Sequence, residues 1–289
     1  MKKIWMPILL GLFSILILLV GIYFYIHDNN SDNQQMILPY YEKEAFQPPK
    51  NIVQKLPVIS SEKIKVPILL YHYVEYVQDA KDTIRKSLDI TPNTFEKQIQ
   101  TLLDNSYTPI FIDELADILD GKMKMPTKPI ILTFDDGYAD FYTDVFPLLA
   151  KYKIKATIYV VPGFLDKLNY MTKKQVQEVA GSGLVEIASH TIHHINLKYT
   201  KAQLAQKEIF ESKSQLEQLI GKSVNNFAYP YGGFNEDTIK LVEKDGYKTA
   251  ASVVTGSYQS VSNRYFLYRL RPGVRTGKYL INWLDSLKQ

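Results

Sequence analysis

From Lys63 onward, short apolar runs alternate with stretches in which apolar positions recur at helical spacing. Strand-like runs cover residues 64–73, 108–112, 129–135, 156–161, 184–189, 226–229, 248–254 and 266–270. Several are continuously β-branched or leucine-rich, as strands buried on both faces are. Helical periodicity covers residues 92–105, 113–120, 140–151, 173–180, 201–220, 236–245 and 277–287. Thr91-Pro92 and Thr172 stand where helices start, because a hydroxyl can accept from the orphan N–H groups of a first turn. Gly121, Gly181, Gly221 and Gly246 stand where helices should stop. Strands alternating with helices in this way predict an α/β domain on a parallel sheet, either open and doubly wound or closed into a barrel. In both architectures functional groups gather at the carboxyl ends of the strands.

Residues 4–26 carry no charge, follow Lys2 and Lys3, and are long enough to cross about 30 Å of hydrocarbon at about 1.5 Å per residue. The lysines predict a cytoplasmic start, with Trp5, Tyr23 and Tyr25 near the two interfaces. A signal peptide, removed on secretion, is the alternative. The run ends in Tyr23-Phe24-Tyr25-Ile26-His27-Asp28, not in small residues before a cleavage site, which favours a retained single-pass anchor. Residues 27–62 are rich in Asn, Asp, Gln, Lys and Pro without sustained periodicity, which is the composition of a spacer. The expected organisation is residues 1–26 as cytoplasmic lysines and anchor, 27–62 as extracellular spacer and 63–289 as a folded extracellular domain.

Composition narrows the chemistry. At 289 residues, 46% apolar and 12% aromatic, the chain can bury one large core. Cysteine is absent, which excludes disulfides, thiolate metal sites, a thiol nucleophile and a lipid-modified cysteine. A net charge of +4 with no basic stripe interleaved with aromatics reads as a solubilising surface, so nucleic acid is not an expected partner.

Three of the five histidines lie in His190-Thr191-Ile192-His193-His194, at the end of a predicted strand. Upstream, Thr133-Phe134-Asp135-Asp136-Gly137 ends another strand on two adjacent carboxylates. Two imidazoles and one carboxylate leave a divalent ion positively charged with open positions, the ligand set that catalytic zinc sites favour. The second carboxylate is then free to act as a base. Side chains alternate faces along a strand, so Asp135 and Asp136 converge only if Gly137 turns the chain sharply; the competing role for Asp136 is to cap a helix starting near Tyr138. His190 can pair with either His194 or His193 on spacing alone.

These two motifs, followed by Ala228-Tyr229-Pro230-Tyr231-Gly232, resemble the polysaccharide deacetylases, the NodB-homology group of carbohydrate esterases, over about residues 64 to 275. The resemblance implies an irregular (β/α) barrel with fewer than eight regular units. It also implies a metal, usually zinc, on Asp136, His190 and His194, with Asp135 as catalytic base and the Tyr231 backbone N–H as oxyanion donor. Two departures follow from the residues. Many members carry an arginine just before the Pro-Tyr segment, where this chain has Phe227-Ala228-Tyr229; Arg269 is the candidate replacement for orienting Asp135, against a surface or barrel-end ion pair. Many also place a general-acid histidine late in a Leu-x-His segment, but no histidine follows His194. Leu70-Tyr71-His72 has that pattern at the first predicted strand, as in the circularly permuted poly-N-acetylglucosamine deacetylases, which makes His72 the expected donor to the leaving amine. Tyr71, Tyr73, Tyr138 and Tyr229 are candidates for a sugar groove.

The expected function is therefore metal-dependent removal of N-acetyl groups from an extracellular N-acetylglucosamine polymer, with poly-β-1,6-N-acetylglucosamine favoured. The rivals are a peptidoglycan N-acetylglucosamine deacetylase, an acetylxylan O-deacetylase and a catalytically silent wall-binding domain.

Overall fold

A computed structural model describes residues 62–79 and 81–287. The expected anchor at residues 4–26 and the spacer up to residue 61 lie outside the described residues. Among the described residues, no helix is long and apolar enough to cross a membrane.

Among the described residues, seven parallel strands follow one another in sequence order around a ring: β1 (Ile68–Tyr71), β2 (Pro129–Phe134), β3 (Ala156–Val160), β4 (Val185–Ser189), β5 (Asn226–Ala228), β6 (Thr249–Thr255) and β7 (Leu267–Arg269). An isolated bridge between Leu69 and Leu270 returns the last strand to the first, with Leu70 N–H donating to Leu270 O at 2.8 Å and Leu270 N–H to Ile68 O at 2.8 Å. Of the two sheet topologies left open by the pattern, the chain adopts the barrel.

Two expected strands differ. Residues 64–73 fall into three pieces: Pro67, with no N–H to continue a ladder, lies between the first two, and a bend at His72 separates the second from the third. Ile64–Lys65 pairs antiparallel with Tyr258–Gln259, while Tyr73–Val74 pairs in parallel with Asp89–Ile90. The run near residue 108 contributes only Thr108–Pro109, which pairs with the start of β2 outside the ring.

The helices are α1 (Thr83–Leu88), α2 (Pro92–Asp104), α3 (Ile112–Leu119), α4 (Phe146–Tyr152), α5 (Lys173–Gly181), α6 (Ala202–Ile220), α7 (Glu236–Lys244) and α8 (Gly277–Ser286). α1 buries no residue, so it has no apolar period to read. The expected helix over 140–151 starts as a π-type turn, Phe141–Val145, before α4. Thr91 and Thr172 cap as expected, their hydroxyls accepting from Thr94 N–H and Gln175 N–H at 3.2 Å. Gly181 is the last residue of α5, as expected, and the left-handed position falls two residues further on, at Gly183 with φ 74°.

Alternation along the strands sorts side chains to the barrel interior or to the layer under the helices. Ile68, Ile131, Tyr159, Ala188, Ala228 and Leu267 belong to the inner cluster. Leu69, Leu132, Ile158, Ile187 and Phe227 pack outwards against helix residues such as Phe95, Val176 and Ile209. Following the inner positions towards the carboxyl ends leads from Ile131 to Thr133 and Asp135, from Ala188 to His190, and from Leu267 to Arg269. The barrel itself therefore delivers three polar side chains to one rim.

Candidate active site

β2 ends at Phe134, and the next turn is made by two left-handed residues, Asp136 at φ 78° and Gly137 at φ 82°. This reversal brings Asp136, which strand parity would have sent outwards, to the same rim as Asp135. Asp136 does not cap a helix; the following helical segment begins at Phe141.

Arg269 is fully buried and grips Asp135 through two parallel bonds, Nη1 to Oδ1 at 2.7 Å and Nη2 to Oδ2 at 2.8 Å. Its remaining donors are fixed by Ser252 O at 2.7 Å and Thr133 Oγ1 at 3.3 Å. Burial alone would raise the pKa of Asp135, but Arg269 and the nearby His190 outweigh it and hold the carboxyl below its usual range. Asp135 is thus held by an arginine from β7.

His190 Nδ1–H donates to Ala228 O at 2.8 Å, which leaves the Nε2 lone pair facing Asp136 Oδ1 at 3.4 Å. His194 Nε2 faces the same oxygen at 3.1 Å. Asp136, His190 and His194 each offer a ligand atom within 4.8 Å of the others. His193 is not among them; its side chain is 62% exposed and its Nδ1 lies 2.7 Å from Glu208 Oε1.

The donor set fits a metal ion on two counts. Asp136 Oδ1 is buried and, among the described residues, accepts no hydrogen bond of acceptable geometry, a costly state that a cation would relieve. Its separations from the two nitrogens also match the roughly 3.4 Å between donors around a tetrahedral ion with bonds of about 2.0–2.2 Å. Electrostatics agree: burial opposes charge on Asp136, yet His194 and His190 hold it well below the usual carboxylate range. Burial likewise lowers His190, but Asp136 and Asp135 bring it to a net rise.

His72 follows β1 on the same rim and is partly exposed. Burial pushes it down to about 4, against the pull of Asp135 and Asp136 and with Arg271 and Arg269 adding to the depression. Tyr231 sits at φ 58°, its ring edge-on to His194 at 4.5 Å. The turn's own hydrogen bonds run from Gly232 N–H to Tyr229 O and from Gly233 N–H to Pro230 O, which leaves Tyr231 N–H outside that network.

Two of the expected groove tyrosines are core residues. Tyr71 donates to Gln98 Oε1 at 3.0 Å within the outer layer, and Tyr229 is fully buried there, because both occupy outward strand parity. Tyr73 and Tyr138 stack at 4.1 Å, and Tyr170 continues the stack at 5.0 Å from Tyr138. Neither Tyr170 nor Glu208 stands out in the sequence alone. Glu208 had one readable signal, a charged residue on the apolar stripe of α6.

Residues 122–250 match the polysaccharide deacetylase family. YxkH of Bacillus subtilis (strain 168), which carries a polysaccharide deacetylase designation, is 32% identical over 86% of this chain and 86% of its own length. The poly-beta-1,6-N-acetyl-D-glucosamine N-deacetylase of Staphylococcus aureus (strain MSSA476) is 26% identical, with 90% of each chain covered. The solved structure of Streptococcus pyogenes deacetylase PplD in complex with acetate superposes with a TM-score of 0.72 at 28% identity, over 79% of this chain and 100% of that one.

Proposed function

The chain belongs to the polysaccharide deacetylase family, a group of metal-dependent carbohydrate hydrolases, and from that premise we propose that it removes N-acetyl groups from an extracellular N-acetylglucosamine polymer, poly-β-1,6-N-acetylglucosamine foremost. The observation that carries the proposal is the convergence of His190 and His194 on a buried Asp136 oxygen that has no donor among the described residues, beside a second carboxylate that Arg269 keeps ionised.

Asp136, His190 and His194 would hold the cation, zinc being the ion this donor set favours. Bound there, a divalent ion supplies Lewis acidity, which polarises an acetyl carbonyl and lowers the pKa of a water molecule. Asp135 accepts the proton of the attacking water. A carboxylate held ionised by an arginine is a weak base, so it suits a water of lowered pKa. Tyr231 N–H donates to the carbonyl oxygen as it gains charge, a contribution of roughly 3 kcal/mol for one well-placed donor. His72 gives a proton to the nitrogen as the C–N bond breaks, and the products are acetate and a free amine. In the resting protein His72 is neutral at neutral pH. As negative charge develops on the carbonyl oxygen the pKa of His72 rises, so that it takes up a proton from solvent and carries it when the C–N bond breaks.

The choice of polymer is supported by the histidine at the head of the barrel in Leu70-Tyr71-His72 and by the substrate in the name of the Staphylococcus aureus relative. The proposal includes a membrane anchor at residues 4–26, an extracellular spacer at 27–62 and a catalytic domain at 63–289. Incubating the protein with β-1,6-linked N-acetylglucosamine oligomers, peptidoglycan fragments, chitooligosaccharides and acetylxylan, with products read by mass spectrometry, tests it. Chelator-sensitive acetate release from the β-1,6 oligomers is expected. Activity confined to peptidoglycan fragments or to acetylxylan would overturn the substrate, and binding without turnover of any polymer would favour a silent wall-binding domain.

A further inference from the structure

The segment that carries both histidine ligands does not hold its own shape. Thr191 at φ 61° and His194 at φ 55° are non-glycine residues in the left-handed region, a conformation that persists only where the surroundings impose it. On one side Gly163 N–H donates to Ile192 O at 3.1 Å, so close that a Cβ on Gly163 would stand 2.3 Å from that oxygen. On the other side is Glu208. Its Oε2 accepts from the backbone N–H groups of Ile192 and His193, both at 2.9 Å, and its Oε1 accepts from His193 Nδ1 at 2.7 Å.

Glu208 lies on the buried stripe of α6, with Ala205, Ile209, Ser212 and Leu216. A carboxylate taken out of water there needs charge-assisted hydrogen bonds, and each one recorded for it among the described residues goes to this loop. One turn further along, Ser212 shares a 2.6 Å hydrogen bond with Ser189, the residue before His190. The same face of α6 therefore grips the chain just before the loop and again at Ile192 and His193.

We propose that Glu208 is a positioning residue that holds the His190–His194 loop in the shape that turns both imidazoles towards Asp136, so that metal affinity depends on a carboxylate that touches neither metal nor substrate. This rests on the assignment of Asp136, His190 and His194 as ligands.

The test is the affinity of the full-length, chelator-stripped protein for Zn2+ alone, measured in competition with a chromophoric chelator. Glu208→Met fills similar space without an acceptor and should weaken Zn2+ binding on the order of 10–100-fold, the range typical for residues that orient metal ligands. Glu208→Gln keeps an oxygen for the two N–H groups and should recover most of that loss. His193→Ala leaves both backbone bonds in place and should bind like the native protein. Amide exchange at Ile192 and His193 should accelerate in Glu208→Met, a readout independent of metal. If circular dichroism shows Glu208→Met misfolded, Glu208→Asp replaces it with the same expected loss, since it keeps the charge but falls one methylene short. A folded Met or Asp variant that binds Zn2+ like the native protein, while His194→Ala loses it, overturns the inference. Native affinity in His194→Ala would overturn the ligand assignment and the inference with it.

Discussion

Replacing Arg269 by methionine should cost this protein more than any substitution of a surface charge. Arg269 is fully buried, and its guanidinium makes four hydrogen bonds, two of them to a carboxylate that is itself 4% exposed. Methionine fills part of the volume but strands Asp135 without its counter-ion, and breaking one side of a buried pair costs about 3–5 kcal/mol. For a domain of this size that corresponds to a fall in Tm of about 6–20 °C. The sign of the pH dependence follows from Asp135. In the native protein its pKa is depressed, so the pair's stabilisation is present above the unfolded carboxylate value and is lost as pH falls through the folded one. In Arg269→Met burial is opposed only by His190 and His72 and the pKa rises, so the variant lacks the stabilisation that the native protein shows above the unfolded value. The difference between the two proteins should therefore be widest at neutral pH and shrink below about pH 4. Urea denaturation of chelator-stripped protein across that range measures it. Arg269→Met/Asp135→Asn should regain much of the loss, because no carboxylate is then stranded. A cost below about 1 kcal/mol at pH 7, or no recovery in the double variant, would refute a buried, coupled pair.

Three further outcomes are expected. Asp135→Asn should keep Zn2+ affinity while losing about 10²–10⁴-fold in turnover, as removal of a general base does, whereas His194→Ala should lose the metal itself; calorimetry and acetate release separate the two. His72→Ala should bind Zn2+ normally, lower kcat and abolish the alkaline limb of a bell-shaped pH–rate profile, and an unchanged profile would remove His72 from the mechanism. Burial lifts Asp140 to about 7, so its contribution to stability is present below the unfolded value of about 3.9 and is lost as pH rises through about 7. Asp140→Asn, which keeps an acceptor for Val74 N–H, should therefore be more stable than the native protein by on the order of 2–4 kcal/mol at pH 8 and equal to it below pH 4, as denaturation at the two pH values would show.

The sequence by itself determined whatever depends on near neighbours along the chain. Strand and helix spans, the caps at Thr91 and Thr172, the turn at Gly137 and the donor chemistry of Asp136, His190 and His194 are all local, because side-chain periodicity and turn sterics act over a few residues. Helix α1 has no local signature because it buries nothing, and Pro67 breaks an apolar run that by its pattern reads as one strand. Only the tertiary structure decided which residues meet across the rim. Spacing could not choose between His193 and His194; the left-handed turn at Thr191 and His194, and the pull of Glu208 on His193, decide it. Nor could any local pattern show that Arg269 reaches Asp135, 134 residues away. That contact exists because closing seven parallel strands into a ring sets the last beside the first, and inward parity on β2 and β7 then leaves the two charges no solvent and one partner.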